Sequence, residues 1–572
     1  MTDDGIFVKT LFRKHATLNI LALLTSTVGP IVTTVIAGTH FGSAGLAILA
    51  ICSPLFLTAS FFGFIISGGA QIVCSGFIAK DEMASVRRVY SAAALLTLIA
   101  ATTVGVLTLI FKVPLLTLLA GEISPELSAY YYFFVINAFM TMFICIPLFF
   151  SRAVGRTYIG LILTGVMAVV SIAASLILVE FMGIEAIALG QAIGAFIGFL
   201  VSMLMLSKHL TFVLPKKLFI KPIFASGSPL GLTRLYNLLA ALTLNTLFLR
   251  IGGSEALAVF SVIFSIHRFN TAGIDGISST VVPIVGVFHQ EQDVTSIRQT
   301  MRLAFGYGNS LMLLVSILLI FFGAQIAAIF GLSDFEAFTA VLPFYFVYIM
   351  LLTNTTIFTS YYNASNRLKL ANVIPLLQEF VFLCLGAYIF SVLFGINGLW
   401  AALPISGAAT FAVLLAILIF IKVRDRDLSL PLLQKLKSQS EGRYVSFSVE
   451  SIPQKAAEAA ERIAEFCEEN DLPPKKAMLL SVSIEEIILL IINNSKNKNF
   501  SVSVRLLLLD DGVIMRIRNA GEKFDVMEYY KSHIADDIEK SIDVIGMKYI
   551  VQAASGIYYR QTFGVNSLVV SI

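Results

Sequence analysis

The chain has 572 residues, 57% of them hydrophobic and 13% charged, with a mean hydropathy of +0.86; a sequence that apolar cannot hide its surface from water by folding alone, which excludes an ordinary soluble globule and makes a bilayer the expected solvent. The formal net charge of +4 says little as a total, and no nucleic-acid partner is expected. Five scattered cysteines, Cys52, Cys74, Cys145, Cys384 and Cys467, exclude a disulfide framework and a zinc pattern and read as small core residues.

In chain order, twelve apolar stretches each approach the ~20 residues that span a bilayer as a helix. They are 16–38, 46–77, 88–111, 128–150, 157–180 and 185–207, then 225–250, 255–288, 299–323, 338–362, 368–393 and 397–422. The first run is too long for a signal-peptide core and has no small-residue cleavage site, so it is expected to stay in the mature protein. Alternate loops carry the basic residues: Lys9, Arg13 and Lys14; Lys80, Arg87 and Arg88; Arg152 and Arg156; Lys208, Lys216, Lys217 and Lys221. The same side then receives Arg298 and Arg302, Arg367 and Lys369, and Lys422, Arg424 and Arg426, while the other loops hold Glu122, Glu126, Glu185, Glu255, Asp334 and Glu336. The positive-inside rule puts both termini in the cytoplasm of a multi-pass plasma-membrane protein.

"FGSAGLAILA" from Phe41 returns as "IGGSEALAVF" from Ile251. The offset of 211 aligns Ser43 with Ser254, Leu46 with Leu257, Ser67 with Ser278, Phe77 with Phe288, Ser85 with Ser296, Arg87 with Arg298 and Arg156 with Arg367. Six spans per half is an even number, so both copies enter the membrane the same way, as a parallel repeat about an axis along the membrane normal. The expected fold class is an all-α polytopic membrane protein of twelve helices in two six-helix bundles, 1–210 and 211–426, followed by a linker, 427–440, and a C-terminal α/β sandwich domain, 441–572.

Ionisable groups inside a bilayer cost a few kcal/mol or more each and are functional candidates by default. In the first half, mid-span polarity is limited to Thr33, Thr34, Asn137 and Gln191, with Glu180 near a span end. The second half carries Arg234 and Asn237 in its first span, His267, Arg268, Asn270 and Asp275 in its second, and Glu379 in its fifth. Through the offset, His267, Arg268 and Asp275 correspond to Phe56, Leu57 and Phe64, so the fold itself does not require the charge. Asp275 and Glu379 are the expected titrating or cation-binding carboxylates, with Arg268, His267 and Arg234 as partners. Thr33, Thr34, Asn137, Gln191, Asn237 and Asn270 are the expected lining of a substrate cavity. A permanent structural ion pair is the plain alternative for Arg268 and its acidic neighbours.

The 6+6 plan, with "GPIVTTVIAGTHFGSAGLAI", "ISGGAQIVCSGFIAKDEMASVRR" and "SSTVVPIVGVFHQEQDVTSIRQ", resembles the multidrug and toxic compound extrusion (MATE) transporters over roughly residues 10–425. The resemblance implies two bundles rocking between inward- and outward-open states, and export of small organic, cationic compounds driven by Na+ or H+ entry. Some members of that family bind the ion through an Asp in the first span, where this chain has Thr33. Others use a Glu in the seventh, where it has Tyr236 or Asn237. The coupling ion therefore stays open between H+ and Na+. No P-loop motif occurs, which argues against transport powered by a P-loop ATPase on this chain.

After "IKVRDRDLSLP" the composition becomes that of a mixed α/β domain. "RYVSFSVE" alternates as a strand, and "PQKAAEAAERIAEFCEEN" is an amphipathic helix. "PPKKAMLLSVSIEEIILLIINNSKNK" is a second helix opened by Pro. "FSVSVRLLLLDDGVIMRIRNAGEKF" reads as two strands turning at Asp510-Asp511-Gly512, followed by a helix through "DVIGMKYIVQAA" and a closing hairpin. This order resembles the histidine-kinase-like (GHKL) ATPase fold, in the branch that includes anti-sigma-factor kinases. The resemblance implies Mg-ATP chemistry at Glu485, Glu486, Asn493, Asn519, Gly521, Asp525 and Gly546. The motif is degraded: Leu490 stands where the family has its Mg-binding Asn, and Asn519-Ala520-Gly521 replaces Asp-x-Gly. A Leu cannot ligate Mg2+, so the expectation is a transporter, not an enzyme, with a regulatory tail that meets a cytoplasmic protein partner. A lipid-linked saccharide flippase and a membrane-bound sensor are the alternative readings.

Overall fold

The computed structural model describes the chain except for residues 1–4, 79–81, 155, 157, 216–217, 291–292, 333–334, 426–427, 430–431, 433, 436–442, 496–499, 510–511, 535–544 and 563–564. It forms two compact units, Thr17–Ser279 with Ala304–Ala416, and Met1–Ala16 with Thr280–Leu303 and Ile417–Ile572.

The membrane helices are α1 (Gly5–Gly63), α2 (Gly69–Ile78), α3 (Met83–Ile110), α4 (Lys112–Ala120), α5 (Pro125–Ala153), α6 (Tyr158–Leu178) and α7 (Glu185–Leu206). They continue as α8 (Ile220–Gln290), α9 (Val294–Phe321), α10 (Gly323–Ile329), α11 (Phe335–Ala364), α12 (Leu368–Pro375) and α13 (Phe382–Arg424). Two π-helical turns, Phe64–Gly68 and Leu376–Val381, join α1 to α2 and α12 to α13. Among the described residues, 10 helical runs are long and apolar enough to cross a membrane, so the chain is a multi-pass membrane protein. Two of those runs, Leu230–His289 and Leu368–Arg424, have 60 and 57 residues. The backbone leaves helical geometry inside them at Gly253 and Gly395, as it does inside α1 at Gly42. The expected spans end on either side of these three glycines. Helix nevertheless runs up to each break, and the short α4 and α10 were not expected at all.

The repeat recurs in the helix bounds. Adding 211 to 83 and 110, the ends of α3, gives 294 and 321, the ends of α9. Gly42 (φ 61°, ψ −151°) becomes Gly253 (φ 70°, ψ −164°). Side-chain crossings repeat too. A Cβ on Gly276 would fall 2.6 Å from the Ile20 Cα, and one on Gly231 would fall 2.9 Å from the Ile65 Cβ. Since 20 corresponds to 231 and 65 to 276, one crossing is made twice, with the glycine on opposite partners.

The C-terminal region contains a short antiparallel pair, β1 (Leu428–Ser429) with β2 (Gln434–Lys435). A five-stranded antiparallel sheet is built from β3 (Arg443–Glu450), β4 (Ser501–Leu509), β5 (Gly512–Asn519), β6 (Gly556–Thr562) and β7 (Val565–Ser571), in the order β3-β4-β5-β7-β6. Its helices are α14 (Pro453–Glu469), α15 (Pro474–Asn493), α16 (Val526–Ile534) and α17 (Ile545–Ala553). Alternation decides which face is buried: Val502, Val504 and Leu506 of β4 join Met515 and Ile517 of β5 in one core with Ile484, Ile487 and Ile491 of α15. The predicted strands and helices are all present, and α16 is an addition. Asp525 explains it, because its carboxylate accepts from Met527 N at 2.9 Å and Glu528 N at 3.2 Å and so caps the helix.

Candidate functional site

The ionisable residues of the second half converge. Asp275 lies within electrostatic reach of Arg234, and Glu379 within reach of Arg234, Asp275 and Tyr348. Asn237 is a hydrogen-bond partner of Glu379. Glu379 sits in the π-helical turn after Pro375, a local widening that recurs at functional sites. Both Asp275 and Glu379 are half-buried.

Two rings of the first half complete this cluster. The Arg234 guanidinium lies 4.5 Å over Phe64, and Arg268 lies 5.0 Å over Phe56. These rings are the repeat counterparts of Asp275 and His267. A desolvated cation–π contact is worth about 2 kcal/mol, so the rings help to hold two cations away from bulk water. Arg268 thus engages a ring rather than a carboxylate: among the described residues no ion pair joins it to an acid. His267 is packed among Phe264, Tyr345 and Tyr348, with its Nδ1 3.5 Å from the Tyr345 hydroxyl. The Asn270 amide donates to that hydroxyl at 3.0 Å.

The remaining expected cavity residues form a separate chain in the first half. Gln191 Nε2 donates to Thr33 Oγ1 at 2.8 Å, and Asn137 Nδ2 donates to Gln191 Oε1 at 2.9 Å. Thr33 and Thr34 hydroxyls return to the Pro30 carbonyl, at 2.9 and 2.8 Å. Thr33, Asn137 and Gln191 tie α1, α5 and α7 together, Thr34 stays bonded within α1, and Asn237 and Asn270 belong with the ionisable cluster.

In the C-terminal domain Glu486, Asn519, Gly521 and Asp525 of the nucleotide motif are bonded within the fold. Glu486 Oε1 accepts from Met547 N at 3.2 Å, at the start of α17, the helix that carries Gly546. Asn519 Oδ1 accepts from Gly521 N at 3.0 Å and from Asn566 Nδ2 at 2.9 Å, and Asp525 is the cap of α16. Leu490 is buried in the core. Glu485 and Asn493 lie along α15. Asp510 and Asp511 lie outside the described residues.

One strongly bonded acid escaped the sequence reading. Asp293, 2% exposed, pairs with Arg505 of β4 at 2.7 Å and with Arg518 of β5 at 2.8 Å. Burial opposes its charge, yet the Arg518 and Arg505 guanidiniums and the Ser296 N–H outweigh burial and hold the carboxyl well below the usual carboxylate range. A depressed carboxylate stabilises fully above its unfolded value of about 3.9, and that contribution is lost only as pH falls through the lower folded value. The pair is therefore intact across physiological pH. Its signal in the sequence was the same offset of 211, which aligns Asp293 with Glu82.

No family model and no curated relative matches the chain. Solved structures do. A MATE structure in complex with MaD3S has a TM-score of 0.60 at 16% identity, covering 73% of this chain and 97% of that one. An inward-facing multidrug resistance MATE family transporter of the MOP superfamily gives 0.57 at 17% identity, covering 76% and 97%. An outward-facing one gives 0.59 at 17%, covering 74% and 98%. About three quarters of the chain has the fold of these transporters.

Proposed function

We propose that the protein is a MATE-type secondary-active exporter of small organic, cationic compounds, working by alternating access against inward H+ or Na+ movement. Length supports twelve crossings: a 60-residue helix measures about 90 Å, far beyond the ~30 Å hydrocarbon core. Breaking the two longest runs at Gly253 and Gly395 gives six crossings in each half, 1–210 and 211–426. Their alternating charge favours cytoplasmic termini in a plasma membrane, and residues 441–572 act as a regulatory domain with degraded ATPase motifs.

The observation that carries this reading is that Asp275, Glu379 and Arg234 lie close enough to feel one another's charge inside apolar helices of the second half. Two carboxylates sharing one cation can release or accept a proton or a Na+ as the charge of the group changes, and a cationic substrate competes for the same carboxylates. Arg234 and Arg268, held on Phe64 and Phe56, link the response of the second half to the first.

The test is flux of ethidium, as a cationic probe, in proteoliposomes under imposed Na+ and H+ gradients. Asp275→Asn and Glu379→Gln should each lower the gradient-driven rate by about tenfold or more, a loss of ~1.4 kcal/mol in transition-state stabilisation. Normal flux in both variants would remove the site assignment. A signalling reading is favoured by one observation, the bonding of the domain's sheet to a membrane-helix loop at Asp293. Absent flux, together with a ligand-dependent change in the domain, would select it.

A further inference from the structure

The acids that stand at the starts of α3 and α9 are bonded alike. Glu82 N donates to the Phe77 carbonyl at 3.0 Å, and Asp293 N to the Phe288 carbonyl at 2.8 Å. The Ser85 hydroxyl donates to Glu82 at 3.0 Å, and the Ser296 hydroxyl to Asp293 at 2.9 Å. All three residue pairs are related by 211, so the acid at each helix start belongs to the repeat and owes nothing to the C-terminal domain.

Their surroundings differ. Glu82 is exposed, and among the described residues it has no ion pair. Asp293 gives one carboxylate oxygen to Arg505 and the other to Arg518, both from adjacent strands of the sheet. Arg518 also lies 5.1 Å over the Phe288 ring, so one guanidinium touches the end of α8 and the residue that opens α9. Arg505 and Arg518 project from the sheet face opposite the α15 core, since their neighbours Val504, Leu506 and Ile517 are the core residues. That face is where the C-terminal domain receives the loop. Helix α8, which Arg518 holds at Phe288, carries Asp275 thirteen residues earlier, about 20 Å along the axis.

We propose that Asp293 is a latch by which the C-terminal domain grips the cytoplasmic ends of α8 and α9 in the second copy only, making the domain an internal regulator of the helix that bears Asp275. The grip stands on the geometry of this loop; the regulatory role rests on the exporter reading. Breaking a buried pair exposes the cost of the uncompensated charges left behind, so loss of the latch should read out as local opening.

Hydrogen exchange on the full chain in nanodiscs tests the grip. In Asp293→Asn, residues 501–519 and the loop at 288–300 should exchange at least about tenfold faster than in wild type, with α15 unchanged. Glu82→Gln, in the unlatched copy, should change nothing. Unchanged exchange in Asp293→Asn overturns the latch; so does equal loss of protection in α15, because Asp293 would then hold the domain's fold and not its docking. Ethidium flux in the same variants tests regulation: Asp293→Asn should alter the rate at least about twofold with Asp275 intact, and an unaltered rate despite faster exchange overturns the regulatory role. Wild-type vesicles with no gradient-driven flux would instead remove the exporter reading and the regulatory role with it, leaving the grip to be judged on exchange.

Discussion

At the scale of single residues, the clearest lesson lies in what side chains already do. Asn519 could serve as a nucleotide-reading residue only if its carbonyl oxygen were available, and that oxygen already accepts from Gly521 N and from Asn566. Glu486, where the resemblance expects a water-activating acid, is bonded to the first turn of α17. Leu490 adds an apolar side chain where Mg2+ would need an oxygen. Together these predict that the full chain binds Mg-ATP no more tightly than a Kd of about 1 mM, or ~4 kcal/mol. Isothermal calorimetry checks it, and micromolar, Mg-dependent binding would show that the motif still works. The sequence exposed this much because motif residues have fixed spacings. It did not expose the meeting of Arg234 with Phe64 or of Arg268 with Phe56, since contacts between helices far apart in sequence leave no period to read. Asp293 was visible only by comparing the two copies, and an acid at a loop is ordinarily just a solvated helix start.

At the scale of elements, the glycine breaks explain both where reading succeeded and where it fell short. The gaps left between expected spans contain Gly42, Gly253 and Gly395, because loss of apolar continuity and glycine coincide there. What composition could not convey is that helix continues to within a residue of each break, which is a property of backbone angles. At φ 61°, ψ −151° and φ 70°, ψ −164° the backbone occupies a region essentially reserved for glycine. A Cβ on either residue would meet nothing within 4 Å, so substitution tests backbone strain without crowding. Gly42→Ala and Gly253→Ala should each cost about 1–3 kcal/mol, lowering the Tm in detergent by similar amounts. Gly306→Ala in α9, also free of neighbours but helical, should be neutral or slightly stabilising, as alanine outranks glycine inside a helix by about 1 kcal/mol. Equal Tm for all three would mean that the breaks carry no strain. The C-terminal elements were more legible because strand alternation and proline-opened helices are local signals, and β3 through β7 stand where those signals put them.

At the scale of the whole chain, the repeated crossing bears most directly on mechanism. The Ile20–Gly276 contact joins the start of the first half to α8, and the Ile65–Gly231 contact joins the start of the second half to the π turn after α1. Both bring a glycine against backbone or a branched side chain, so that a Cβ there requires the neighbour to shift. Under alternating access, the two contacts are related by the repeat and must part together when the halves rock. Joining one of them should therefore stop the cycle without touching Asp275, Glu379 or Arg234. Ile65→Cys with Gly231→Cys suits this, because a Cβ at 231 would lie 2.9 Å from that of residue 65, so the two helices need part by only about 1 Å to reach the ~3.5–4.5 Å of a disulfide. Oxidation of the pair should reduce gradient-driven ethidium flux by about tenfold or more, and a thiol reductant should restore it. Ile65→Cys alone should respond to neither treatment. If the oxidised pair, shown cross-linked by mass spectrometry, transports at the full rate, the halves do not separate at this crossing. Substrate movement would then have to come from motion within one half, which is where the ionisable cluster lies.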